Sequence, residues 1–373
     1  MDISRAITLD LPKRFEVGTG TAARLGDWVP EGARVLVIAL PVTAAMVGKL
    51  GLKGSVNVFD AVQPEPKDTC LDAAFAAARA CRPDVIVGLG GGSVMDVAKL
   101  VAALWNSDQT LADVAGPNKV AQKGALLAQV ATTAGTGSEG GIRALITSSE
   151  TGMKVAVESP HLAADIAILD PELTMSVPPA ITAATGVDAL AHCVEAFTNI
   201  NSHPLIDDYA RMGIRLAGRF LQRAVKDGSD VEARAGMLLS SFYGGLCLGP
   251  VNTAAGHALA YPLGTRAGIP HGLSVALLFP NVLGFNAPAR PQKTAEVLTA
   301  LGLPASDDPE TVVQGTRAYC TALGIKMSMQ DHGAAEAELP GWAAEAHAIR
   351  RLMDNNPRDM SVSEVETIYR AAF

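Results

Sequence analysis

Apolar positions change their period near residue 178, and the change divides the chain in two. Residues 34–40, RVLVIAL, are a short apolar run rich in β-branched side chains; Pro41 and the Ala-rich stretch TAAMVGKLG follow, giving strand, turn and helix. SVNVFDAV then reads as a strand, TCLDAAFAAARACRP as a helix ended by Pro83, and DVIVGLG as a buried strand running into glycines. ALLAQVATTAGTGS and DIAILDP each add a strand, and MDISRAITLDLPKRFEVGTG at the start alternates as a strand does. Strands alternating with helices imply parallel crossover units, and strands apolar on both faces imply a sheet covered on both sides. After Val177-Pro178-Pro179 the pattern turns to long helical segments: ITAATGVDALAHCVEAFT, DDYARMGIRLAGRFLQRAV, VEARAGMLLSSFYGGLCL, TAAGHALAYPLG and LSVALLFPNVLGFN. The expected organisation is an α/β domain over residues 1–178 and an all-helical domain over 179–373. AAEAELPGWAAEAH is expected to present a solvated helix face.

Composition narrows the class. Of 373 residues 49% are hydrophobic and 18% charged, which demands a large core and excludes a mostly disordered chain. Thirty basic against 38 acidic residues, a net charge of −8, argue against nucleic acid as a partner. No run reaches the roughly 18 uninterrupted apolar residues of a spanning helix, so no membrane partner is expected. Five widely spaced cysteines without a CxxC pair, and no apolar leader, point to a reducing cytoplasm.

Gly90, Gly91, Gly92 and Ser93 lie between an apolar strand and the helical VMDVAKLVAAL. Unpaired N–H groups and the helix dipole favour a phosphate there, though a lone GGGS serves equally as a tight turn, and its spacing is not GxGxxG. Thr132-Thr133-Ala134-Gly135-Thr136-Gly137-Ser138-Glu139 forms a second polar loop after a strand. Two such loops in one α/β half raise the case for a dinucleotide, which binds beyond the carboxyl ends of parallel strands.

Asp188 and His192 are four apart on a helix, hence on one face. His257 and His271 open two further apolar helical segments. Each histidine alone reads more readily as a core residue; together, three imidazoles and a carboxylate suit a divalent first-row ion and leave positions for a substrate oxygen. His161, His203, His332 and His347 lack such company, and surface readings serve for His203 and His347.

With these residues in view, the chain resembles the iron-containing (group III) alcohol dehydrogenases along nearly its whole length. The likeness runs through FEVGTGTAARLG, GGGSVMDVAK, TTAGTGSE, DPELTMSVPPAITAATGVDALAHCVEAF, GHALAYPLG, IPHGLSVALLFP and DNNPRDMSVSEVETIYRAA. It implies a Rossmann-like dinucleotide-binding domain followed by an all-α domain, the dehydroquinate synthase-like architecture. It places Asp188, His192, His257 and His271 as metal ligands, Gly90 to Ser93 with Asp96 and Lys99 at the pyrophosphate, and Thr132, Thr133 and Thr136 on the nicotinamide side. It also implies a homodimer or larger homo-oligomer, Fe²⁺ with Zn²⁺ as the other metal, and a small alcohol or aldehyde as substrate.

Three positions depart from the family pattern. Tyr261 stands one turn beyond His257, where many relatives carry a proton-relaying histidine, and a phenol has an ordinary pKa near 10. Leu40 and Pro41 follow the first strand of the repeating pattern where relatives place an Asp on the adenosine ribose, which leaves NAD and NADP both open. Gly140-Gly141-Ile142-Arg143 replaces a bulkier sequence, and Arg143 reads equally as a partner for an anionic substrate or as a salt bridge. The activity implied is metal-assisted hydride exchange between a nicotinamide and an alcohol or carbonyl. Maleylacetate reductase, a hydroxy-acid dehydrogenase, glycerol dehydrogenase, a dehydroquinate synthase-like lyase and a non-enzymatic dinucleotide-binding sensor are the alternatives.

Overall fold

The computed structural model describes residues 3–373; Met1 and Asp2, the start of the alternating opening, lie outside the described residues. The chain forms two compact units, Leu9–Ser176 and a second made of the residues through Thr8 together with Val177–Phe373. The units divide at Ser176/Val177, two residues before the expected boundary. The residues before Leu9, expected with the sheet, cluster with the helices: the Arg5 guanidinium donates to the carbonyls of Asn201 (2.5 Å) and Ser202 (3.3 Å).

The first unit holds strands β1 (Arg14–Val17), β2 (Arg34–Ala39), β3 (Ser55–Phe59), β4 (Val85–Gly90), β5 (Gly116–Pro117), β6 (Leu126–Ala131), β7 (Arg143–Thr147), β8 (Lys154–Glu158) and β9 (Ile166–Leu169). Six of them form a parallel sheet in the order β1-β9-β6-β4-β2-β3. Helices α1 (Asp68–Cys81) and α2 (Gly92–Leu104) are its long crossovers. Along β2, Leu36 and Ile38 enter the cluster that includes α1 and α2 side chains, while Val35, Val37 and Ala39 enter a separate cluster, so a period of two buries both faces. The chain steps outward from β2 to β3, returns to β4 beside β2, and then moves the other way to β6. The loops after β2 and β4 therefore flank a topological switch point, where ligands of such sheets bind.

Two features differ from the sequence expectation. A three-stranded side sheet, β5-β8-β7, was not anticipated. TAAMVGKLG is a broken element: one helical turn, Pro41–Ala44, then a 3₁₀ turn, Val47–Leu50, closed by Gly51 at φ 60°. That glycine is required, because a Cβ on it would lie 2.0 Å from the Ala23 carbonyl oxygen.

The second unit is helical: α3 (Pro179–Thr198), α4 (Pro204–Lys226), α5 (Val231–Leu248), α6 (Ala255–Ala267), α7 (His271–Asn286), α8 (Pro291–Ala300), α9 (Pro309–Ala322), α10 (Leu339–His347) and α11 (Val362–Ala372). The segment His271–Ala289 is long and apolar enough to cross a membrane by composition, but 72% of it is buried inside the structure, as in a core helix. α10 also buries Leu339, Trp342, Ala343 and Ala346, so its acidic residues cover only the other face.

Candidate functional site

In the sheet unit the two polar loops leave neighbouring strands at the same end. Gly90 of β4 pairs with Ala131 of β6, and the Thr132 N–H donates to the Gly90 carbonyl at 3.0 Å. α2 starts at once, with Gly91 as an N-cap that offers no side chain to the first-turn N–H groups. A Cβ on Gly91 would lie 2.6 Å from Thr133 Oγ1, and one on Gly92 2.6 Å from Thr136 Cγ2, so only glycine lets the two loops pack this closely. A helix N-terminus thus stands beside three threonines, an arrangement suited to a phosphate and its flanking hydroxyls. Ser93 Oγ accepts from the N–H of Glu65, a residue held at φ 53°, whose carboxylate pairs with Lys154 at 2.9 Å.

Asp96 and Lys99 turn inward from the same helix. Asp96 accepts from Ser138 Oγ (2.7 Å) and the Leu145 N–H (2.9 Å), while Lys99 Nζ donates to Ser138 Oγ (2.9 Å) and the Arg143 carbonyl (2.8 Å). Their polar atoms brace the second loop from behind. Burial pushes the Lys99 ammonium down to about 8 and raises the Asp96 carboxyl. It also lifts Glu139 to about 7, and neither carboxyl oxygen of Glu139 has a hydrogen-bond partner. Arg143 pairs with Glu158 across β7 and β8, its Nε donating at 3.0 Å, so the salt-bridge reading is the one the structure favours. At the end of β2, Leu40 caps a helical turn, and Thr43 Oγ1 donates to the Leu89 carbonyl at 2.8 Å.

In the helical unit Asp188, His192 and His257 each offer a ligand atom within 4.8 Å of the others, and all three are buried. Asp188 and His192 come from consecutive turns of α3, and His257 comes from the first turn of α6. His271 opens α7; its Nε2 lies 3.7 Å from Asp188 Oδ1, and its side chain, 33% exposed, is the open member of the set. The His192 and His257 rings stack at 4.4 Å, and those of His257 and His271 lie 5.5 Å apart. Asp188 Oδ1 and His257 Nε2 are 3.4 Å apart, and both are buried without a hydrogen-bond partner. Orphaned buried polar atoms cost free energy unless something satisfies them, and one carboxylate with three imidazoles is a donor set for a divalent transition ion. The residues fit such an ion.

The charges are strongly coupled. Burial opposes ionisation of Asp188, but the three imidazoles outweigh it and hold the carboxyl well below its usual range. Burial pulls His192 down to about 4. His257 is also buried, yet the carboxylates of Glu195 and Asp188 prevail and raise it to about 10.

Glu195 is absent from the sequence reading. It lies one turn beyond His192 on α3, and its Oε1 is 2.7 Å from His257 Nδ1. Its Oε2 accepts from the N–H of Ala254, at the start of α6, at 2.5 Å. The available signal was the i, i+4, i+7 spacing of Asp188, His192 and Glu195. Tyr261, one turn beyond His257, has its ring 6.2 Å from that of His271, and its hydroxyl accepts from Arg351 at 3.1 Å. His203, expected at the surface, is 5% exposed and caps α4, its Nδ1 accepting from the Leu205 N–H.

Comparison with known proteins adds to this geometry. The iron-containing alcohol dehydrogenase model matches residues 12–171, and the C-terminal model of the Fe-containing alcohol dehydrogenase family matches 182–373. The chain is 35% identical to long-chain-alcohol dehydrogenase 1 of Geobacillus thermodenitrificans, over 100% of this chain and 98% of that protein. A crystal structure of 1,3-propanediol oxidoreductase superposes with a TM-score of 0.94 at 30% identity, covering 99% of this chain and 100% of that one. The sulfoacetaldehyde reductase of Bifidobacterium kashiwanohense, solved with NAD⁺, gives 0.88 at 27% identity, covering 99% of each chain.

Proposed function

Since the chain belongs to the iron-containing alcohol dehydrogenase family, and is an NAD-linked, metal-dependent oxidoreductase acting on CH–OH groups, we propose which of its residues carry that activity. Asp188, His192, His257 and His271 hold the divalent ion, iron in the first instance with zinc acceptable to the same donors. Gly90 to Ser93 and Thr132, Thr133 and Thr136 hold the dinucleotide, with Asp96 and Lys99 fixing the second loop. When bound, the ion supplies Lewis acidity toward an alcohol or carbonyl oxygen, and the nicotinamide supplies or takes the hydride. Glu195 orients the His257 ring so that Nε2 faces Asp188. Because Tyr261 Oη accepts from Arg351, its own O–H remains available to donate, and we assign it the place of a proton relay.

The observation that carries this reading is the buried, unsatisfied pair Asp188 Oδ1 and His257 Nε2 within a four-donor cluster. The complete ligand set weighs against a maleylacetate reductase. The loop after β2 ends in Leu40 with no carboxylate to reject a 2′-phosphate, which supports use of NADP beside NAD. The five free cysteines support a cytoplasmic setting, and the exposed Phe15 and Val17 on edge strand β1 support a homo-oligomer.

The test is elemental analysis after chelator-free purification, with absorbance at 340 nm following alcohols and aldehydes and both nicotinamides. His271→Ala should lose bound metal and reduce turnover by about 100-fold or more, the scale of removing one electrostatic contact to a reacting oxygen, while NADH binding persists. Full activity in metal-stripped protein would overturn the reading.

A further inference from the structure

We propose that Arg351 makes this a site for short-chain alcohols or aldehydes carrying a terminal carboxylate or sulfonate. The inference rests on the metal-site reading above and adds a substrate class to it. Arg143, the cation that the sequence offers for an anion, is occupied by Glu158. Arg351 differs. Its guanidinium donates to Tyr261 Oη at 3.1 Å and its Cζ lies 5.6 Å from the centre of the Tyr261 ring. No carboxylate pairs with it among the described residues, whereas nearby Arg350 pairs with Asp354, Arg266 with Glu345 and Arg358 with Glu364.

Its position gives it a use. Tyr261 follows His257 by one turn on α6, and its ring is 6.2 Å from that of His271 and 5.6 Å from Arg351 Cζ, so the phenol ring adjoins both the guanidinium and a proposed outer metal ligand. A phenol accepts one hydrogen bond and leaves the charge uncompensated, and the remaining donors of the planar fork match two oxygens of a carboxylate or sulfonate. The stacking holds that fork in place before a ligand arrives, which lowers the ordering cost of binding. One end of a short substrate then rests on Arg351 while its oxygen reaches the ligand cluster.

The test compares 4-oxobutanoate, 3-oxopropane-1-sulfonate and the uncharged butanal as substrates of the metal-loaded enzyme with NADH. Arg351→Gln, a change at an exposed side chain, should lower kcat/KM for the anions by about 10- to 100-fold, chiefly through KM, as expected for losing a charge-assisted contact. Butanal should lose at least about fivefold less than the anions, any shared loss reporting the Arg351–Tyr261 hydrogen bond, and Arg351→Lys should recover part of the anion-specific loss. The larger of the two anion effects identifies carboxylate or sulfonate as the fitted group. Equal losses for charged and uncharged substrates, or none, would overturn the proposal. Titration of butyrate into the same proteins decides without turnover, so a failure of the metal reading stays distinguishable: a Kd raised about tenfold in Arg351→Gln supports the proposal, and an unchanged Kd sinks it.

Discussion

Three nitrogens converge on the Glu195 carboxylate: His257 Nδ1 at 2.7 Å, the Ala254 N–H at 2.5 Å and the His257 N–H at 3.5 Å. One side chain of α3 therefore anchors the start of α6 and sets the orientation of the ring of a proposed ligand. Glu195 is buried and also lines a small, mostly apolar hollow with Val194, Val275 and Phe279 among others, so few waters compete for the carboxylate. Partners of this kind fix the tautomer of a metal-bound histidine and raise its basicity. Glu195→Gln keeps the volume and one acceptor oxygen but removes the charge. It should weaken metal binding by roughly 10- to 100-fold in a chelator competition and, because it also breaks the buried pair with His257, lower the melting temperature of metal-free protein. Equal metal affinity in the two proteins would refute this role. The residue was within reach of the sequence, since positions 188, 192 and 195 share a helix face. An acid in HCVEAF nevertheless reads as a solvated residue until α6 is known to start against it. The proposed ligands stood out in the sequence because histidines among apolar helices are rare, whereas the pairing of Arg143 with Glu158 depends on a hairpin that one-dimensional pattern does not reveal.

Among the elements, β4, β6 and α2 do most to build the proposed nucleotide loops. Their existence was readable from apolar runs bounded by glycine. Their register was not, because the match of Gly90 with Ala131 is set by partners about forty residues apart in the chain, which no local period encodes. The side sheet escaped for a different reason: in β8 only Val157 is fully withdrawn from solvent, so no clean alternation marks it. The same register explains why the two loops touch at Gly91 and Thr133. Gly91→Ala would place its methyl carbon 2.6 Å from Thr133 Oγ1, and the second loop would have to retreat. Overpacking of this kind costs about 1 to 3 kcal/mol, so NADH affinity measured by fluorescence should fall about tenfold or more. Metal content should be unchanged, since all four proposed ligands lie in the helical unit. An alanine variant that binds NADH normally would show that the loops are less interdependent than their spacing implies.

Across the whole molecule the change of hydrophobic period near residue 178 locates the second unit well, because sheet and helix bury their faces with different periods. It could not show that the residues before Leu9 join the helices, since that depends on Arg5 meeting the carbonyls of Asn201 and Ser202. It was equally silent on ionisable groups buried within the sheet unit, and these govern how stability follows pH. Glu139 has a folded pKa near 7 against an ordinary 4.5, so the folded chain keeps a proton that the unfolded chain releases. Its contribution is fully present below about pH 4.5 and is lost as pH rises to about 7, amounting to about 3 kcal/mol at most. Lys99 acts in the opposite sense: its folded pKa near 8 lies below 10.5, so the cost of burying its charge is relieved only as pH climbs from about 8 toward 10.5. Together the two groups stabilise the fold least between about pH 7 and 8. Glu139→Gln removes the first limb alone. Urea midpoints of the two proteins, measured from pH 5 to 7.5, should therefore converge or cross as the wild type loses stability that the variant keeps. If the two curves instead run parallel across that interval, Glu139 is ionised in the folded chain throughout, and its burial must be compensated by Lys99 more fully than the unpartnered carboxyl oxygens suggest.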